Sequence, residues 1–308
     1  MSFYTAQFVH DANGDGVPEI LAVHGGDELS DPALEENMFG RIALFDGTNG
    51  APVRWMGTPD RQASYYPPQV LTWLDGEQFV LFGTGGNTRA GGLFVIPLVD
   101  LYNKRMSKAV QIYRDYDKGM LTPAALADVT GDGIDDIVVS TLNSHVIAFD
   151  GRTFRQVWNA TFKDGESYST VGVGFFDQDD VPDIMVCTVY LRFHYEESSH
   201  LFKPIIFFKG EISIRRGRSR VHSRRGKQSS DECKSGPRLV NPLYFQTVVL
   251  SGRNGSKISE TLVDSIGSQS SPLGLSVTGY GNDIFLHWSS NCLNKAKAKL
   301  NYTFPDCK

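Results

Sequence analysis

The sequence predicts an all-β chain: a β-propeller of about five recognisable but incomplete blades, with residues 1–308 forming one repeat domain that carries a disordered basic insertion at 209–238. Three observations predict it. A unit made of an apolar lead-in, an acidic glycine-bearing loop and a short apolar run recurs along the chain. A second unit, an apolar run closed by a Gly-rich turn, follows it. No window repeats apolar residues at helical spacing. Self-similarity at a fixed period marks a repeat architecture, and four-stranded units of this length are how propellers are built. A sandwich of unrelated hairpins is the competing reading.

The units can be taken in order. The first runs Phe8–Val23 (FVHDANGDGVPEILAV), with its hairpin at Arg41–Gly50 (RIALFDGTNG). The second, Val70–Phe82, keeps only Asp75 and Glu77 in a shortened loop and is expected to bind nothing. The third is Ala125–Ser140 (ALADVTGDGIDDIVVS), with its hairpin at His145–Phe154. The fourth is a weaker copy, Val173–Val186, whose hairpin is Thr247–Ser256. The fifth is Leu273–Trp288. Starts near residues 8, 68, 121, 171 and 271 are about 50–60 apart, except the fourth, which is near 100. An apolar β-forming run closed by a Gly-rich turn reads as a strand and hairpin. Trp55 and Trp158 follow the first and third hairpins and are expected to pack between neighbouring sheets.

The extra length of the fourth unit is the insertion. Between Lys209 and Arg238 lie ten Lys/Arg and three Asp/Glu, so the net charge of -5 divides into a basic segment and an acidic remainder. A Ser/Gly-rich basic stretch with few large apolar residues cannot offset its ordering entropy, hence the expectation of disorder. An acidic body argues against nucleic acid as a partner. No run of about 18 apolar residues and no basic-then-apolar start is present, so neither a membrane-spanning helix nor a signal peptide is read in this chain. Cys187, Cys233, Cys292 and Cys307 lack zinc spacing.

The acidic loops carry the clearest chemistry. Asp11, Asn13, Asp15 and Glu19 stand at loop positions 1, 3, 5 and 9, and Asp128, Thr130, Asp132 and Asp136 repeat that spacing. Alternating oxygen side chains on a tight loop, with the position-7 carbonyls of Val17 and Ile134, can converge on one hard cation; oxygen-only ligands select Ca²⁺. An EF-hand needs a bidentate Glu at position 12, where Ala22 and Val139 stand, and flanking helices in place of β-like runs. Asx-rich turns without an ion are the alternative. The fourth unit is degenerate: Phe175 replaces the first ligand and leaves Asp177, Asp179 and Asp183.

DANGDGVPE and DVTGDGIDD resemble the calcium-binding loops of FG-GAP repeats, as in the propeller of integrin alpha subunits. The run Phe82–Tyr102 (FGTGGNTRAGGLFVIPLVDLY) resembles a narrower group, animal single-pass membrane proteins with an extracellular FG-GAP-like propeller. The resemblance covers residues 8–190 and 242–290. It implies structural Ca²⁺ in the loops, faces that bind an unidentified protein partner, no catalysis by the repeat, and a place in a membrane-protein ectodomain or the secretory pathway. Membrane association is then expected through a segment absent from this chain, which reads as a fragment or splice variant.

Other chemistry is thin. His24 lies beside a glycine pair and two acids, but no GxSxG accompanies it. The FDG turns also resemble quinoprotein repeats, without the vicinal cysteine pair of a pyrroloquinoline dehydrogenase. A hydrolase or quinoprotein-like enzyme on the same scaffold is therefore the alternative. Asn159, Asn254 and Asn301 open glycosylation sequons. Cys292 and Cys307 enclose a short loop that a disulfide can close in an oxidising compartment, and Cys187 is expected to be a buried thiol.

Overall fold

The computed structural model describes residues 3–25, 40–143, 145–163, 165–190, 210–216, 244–263, 265–266 and 271–291. Among them 21 strands form five antiparallel sheets that follow one another along the chain. The first sheet is a meander of β1 (Phe3–Val9), β2 (Glu19–His24), β3 (Arg41–Phe45) and β4 (Pro52–Gly57). The second is a meander of β5 (Gln69–Thr72), β6 (Gln78–Gly83), β7 (Gly91–Pro97) and β8 (Val110–Asp115). The third repeats the order with β9 (Ala125–Ala127), β10 (Asp136–Ser140), β11 (His145–Phe149) and β12 (Gln156–Thr161).

The last two sheets interleave along the chain. The fourth begins with a split inner strand, β13 (Gly165–Glu166) and β14 (Gly172–Gly174), both paired with β15 (Asp183–Tyr190). The chain then leaves through β16 (Gly210–Arg216) and returns as β17 (Tyr244–Leu250) and β18 (Lys257–Val263). In the fifth sheet β19 (Ser265–Ile266) and β20 (Leu273–Leu275) pair with one side of β21 (Ile284–Asn291), and β16 pairs with the other. This corrects the reading of 209–238 as wholly disordered. Its opening residues alternate Ile212 and Ile214 with Glu211 and Ser213, a strand's two-residue period, and they satisfy backbone groups of β21. The rest of that stretch, with Asn301, Cys292 and Cys307, lies outside the described residues.

The sheets stack face to face because their inner strands are apolar at consecutive positions, which suits a strand covered on both sides. Val80, Phe82, Phe94 and Ile96 pack with Leu21, Val23, Ile42 and Leu44 of the first sheet. Their neighbours Leu81, Leu93 and Val95 pack with Ile137, Val139 and Ile147 of the third. Val138, Val146 and Ala148 meet Ile184, Val186, Val248 and Leu250 of the fourth. Met185 and Val249, on its other face, meet Phe285 of the fifth. The fold is thus all-β and of β-propeller type, blade following blade. One departure from the all-strand reading is α1 (Leu98–Tyr102), a single turn set after Pro97 that buries Leu98 and Leu101.

Candidate functional site

The loop between β1 and β2 is wrapped around its own first carboxylate. Asp11 Oδ1 accepts the N–H groups of Gly14 (2.6 Å) and Asp15 (3.2 Å), and Oδ2 accepts that of Gly16 (2.7 Å). The loop between β9 and β10 is built the same way: Asp128 accepts from Gly131 (2.6 Å), Asp132 (3.1 Å) and Gly133 (2.9 Å). The turn needs left-handed backbone at its two glycines, with φ +84° and +87° at Gly14 and Gly16 and +77° and +84° at Gly131 and Gly133. The same N–H groups, Gly16 first, hold the Asp11 carboxyl below the usual carboxylate range.

The residue that closes each loop is the first of the following strand, and it is buried. Glu19, Asp136 and Asp183 are 0%, 1% and 0% exposed. Each carboxylate turns back under its loop and accepts the N–H groups of positions 2 and 3: Ala12 and Asn13, Val129 and Thr130, Phe176 and Asp177. In the fifth sheet Asp283 plays a related part, accepting from Val277 of its own loop (2.8 Å) and from Phe175 of the fourth sheet's loop (2.9 Å). Sequence reasoning missed Asp283. A partial signal was there: Val277-Thr278-Gly279-Tyr280-Gly281 repeats Val129-Thr130-Gly131-Asp132-Gly133 with Tyr at the acidic position, but Asp283 follows Val277 by six residues where Asp136 follows Val129 by seven. Burial raises the Asp136 carboxyl despite its backbone donors. It pushes Asp183 up to about 6, and Asp183 Oδ1 has no hydrogen-bond partner among the described residues.

Each hairpin turn rests on the end of its loop. A Cβ at Gly47, Gly151 or Gly252 would lie 2.0, 2.0 or 1.9 Å from the carbonyl oxygen of Pro18, Asp135 or Pro182. The close approach lets Gly151 N–H reach Asp136 Oδ1 at 2.8 Å. Indoles tie neighbouring sheets to these turns: Trp73 Nε1 donates to Gly151 O (2.9 Å) and Trp158 Nε1 to Gly252 O (2.6 Å). The expected inter-sheet place of Trp158 holds. Trp55 lies half-buried near Phe45 and His24, at ring-centroid distances of 6.4 Å to each.

The donor set of the first loop suits a hard cation: Asp11, Asn13 and Asp15 are oxygen-bearing and exposed or half-buried, Asp46 of the hairpin lies 3.4 Å from Asn13 Nδ2, and no Lys or Arg pairs with them among the described residues. The third and fourth loops differ. Asp132 Oδ2 receives Arg152 Nε at 2.9 Å, and Asp179 and Asp180 face Arg253 at 3.4 and 3.2 Å. The guanidinium holds Asp132 below its ordinary range. Sequence reasoning also missed these arginines, which come from a different hairpin. Among the described residues no three His, Cys, Asp or Glu side chains are gathered to hold a metal.

The remaining candidates are placed as follows. His24 ends β2 and is 6% exposed, facing Trp55. Cys187 is a buried thiol on β15. Asn159 lies exposed on β12 and Asn254 exposed in the turn between β17 and β18. A cleft of about 220 Å³ beside the first loop joins Asp11 and Glu77 to Leu98, Val99 and Tyr102.

No protein-family model and no curated protein matches the chain. Among solved structures it is similar to the quinohemoprotein alcohol dehydrogenase from Comamonas testosteroni, at 10% identity with a TM-score of 0.33. The alignment covers 90% of this chain and 58% of that one. A likeness so slight carries no argument about what this chain does.

Proposed function

We propose that the chain is a non-catalytic β-propeller, stabilised by Ca²⁺ at its first loop, that serves protein–protein interaction at the cell surface or in the secretory pathway. One observation carries the reading: the first loop is wrapped like the third, offers only oxygen donors, and has no paired Lys or Arg among the described residues. Asp11, Asn13, Asp15 and the Val17 carbonyl would hold the ion, while Glu19 holds the loop in shape from beneath. Bound there, the ion neutralises the loop carboxylates and fixes the loop against the hairpin. The resemblance of both loops to FG-GAP repeats supports the same assignment and the interaction role.

A ligand that binds only the folded state raises stability by about 2.7 kcal/mol at 100 times its Kd. Thermal melting of the purified chain should therefore rise in millimolar CaCl₂ over chelator, and Asp11→Ala should abolish the rise. An identical melting point in calcium and chelator, with no calcium on the purified protein, would sink the metal assignment.

A further inference from the structure

The third and fourth loops do not fit a bound divalent cation as they stand, because a positive charge already occupies position 5. Arg152 and Arg253 hold one place in their hairpins, directly after Gly151 and Gly252, the glycines that rest on the loop ends. From there each reaches back to its own sheet's acidic loop, Arg152 to Asp132 and Arg253 to Asp179 and Asp180. The first hairpin has Thr48 at that place, and its hydroxyl bonds Asp46 instead. At the place after the shared glycine the three turns thus carry Thr48, Arg152 and Arg253, and the residue there decides whether the loop is neutralised from within.

We infer that Arg152 and Arg253 are built-in cations that close the third and fourth loops without metal, leaving the first loop as the chain's calcium-dependent one. A guanidinium delivered by the same sheet already neutralises these carboxylates, and an entering cation must displace it. Only the last clause rests on the calcium reading of the first loop.

Calorimetric titration of the full chain with CaCl₂, paired with melting in chelator, tests this. The wild type should bind one ion, lost in Asp11→Asn. Arg152→Gln with Arg253→Gln should raise the stoichiometry above one and lower metal-free melting by about 2 °C, since exposed ion pairs are weak. Arg152→Lys with Arg253→Lys, which keeps the charge, should stay at one ion. Two or more ions on the wild type, one of them removed by Asp132→Asn, would overturn the inference. So would glutamine variants unchanged in both stoichiometry and metal-free melting. A wild type that binds no ion, while the glutamine variants still melt lower in chelator, defeats the calcium reading and leaves the arginine role standing.

Discussion

A glycine sets how closely each hairpin can approach its loop. At Gly151 a methyl group would sit 2.0 Å from the Asp135 carbonyl oxygen, so Gly151→Ala must push hairpin and loop apart and lose the bond from Gly151 N–H to Asp136. The expected loss is roughly 1–3 kcal/mol, read as a lower urea midpoint. Asp183 is a second residue with a measurable signature. Its folded carboxyl keeps its proton to about pH 6, against an ordinary value of 3.8, because it is buried. Between those values the folded chain binds more protons than the unfolded chain, so this group makes stability fall as pH rises from 3.8 to about 6, with no further change above. Denaturant titrations across that range should show the slope in the wild type and a flatter one in Asp183→Asn; parallel curves would reject it. The sequence showed these residues as repeats, but not their roles. The glycine's constraint comes from a carbonyl 16 residues upstream, which only strand pairing brings near.

Among the elements, the fourth strand of each of the first four sheets carries a bulge at one register. Val53, Ile112, Val157 and Ile258 are skipped where β4, β8, β12 and β18 pair with their neighbours. These are edge strands, and a bulge turns an edge away from pairing with another chain. Three of the four, Val53, Ile112 and Ile258, also reach a core cluster. Trp158 shows how sheets are joined. Trp158→Phe keeps most of the ring between the third and fourth sheets but leaves Gly252 O without its donor, at an expected cost of about 1–3 kcal/mol by chemical denaturation. Strand positions were legible because both faces are buried and their apolar runs are continuous. The bulges were not, since a skipped Val or Ile looks like any other strand residue. Nor was β16 legible, as its charge and Ser/Gly content masked a short alternating run.

For the whole molecule, every described apolar cluster joins sheets that are consecutive in the chain. The repeat spacing was enough to forecast that order, since each unit buries its faces on its neighbours. The candidate site was legible only in its ligands; the arginines that distinguish the three loops belong to hairpins about 20 and 74 residues away. If the chain passes through the secretory pathway, Asn159 and Asn254 are open to modification. Secreted from animal cells, it should lose mass on endoglycosidase treatment, with the step reduced in Asn159→Gln and Asn254→Gln; an unshifted wild type would count against that route.

The pairing of β16 with β21 also orders events during synthesis. Residues 210–216 leave the ribosome about 70 residues before their partner at 284–291 does. At roughly 5–20 residues per second they wait several seconds unpaired. The first three sheets, closed by local hairpins, can form as they emerge, whereas the fifth must await nearly the whole described chain. A ribosome stalled before residue 284 should therefore carry a protease-resistant core made of the early sheets, with the 210–216 segment still open to cleavage.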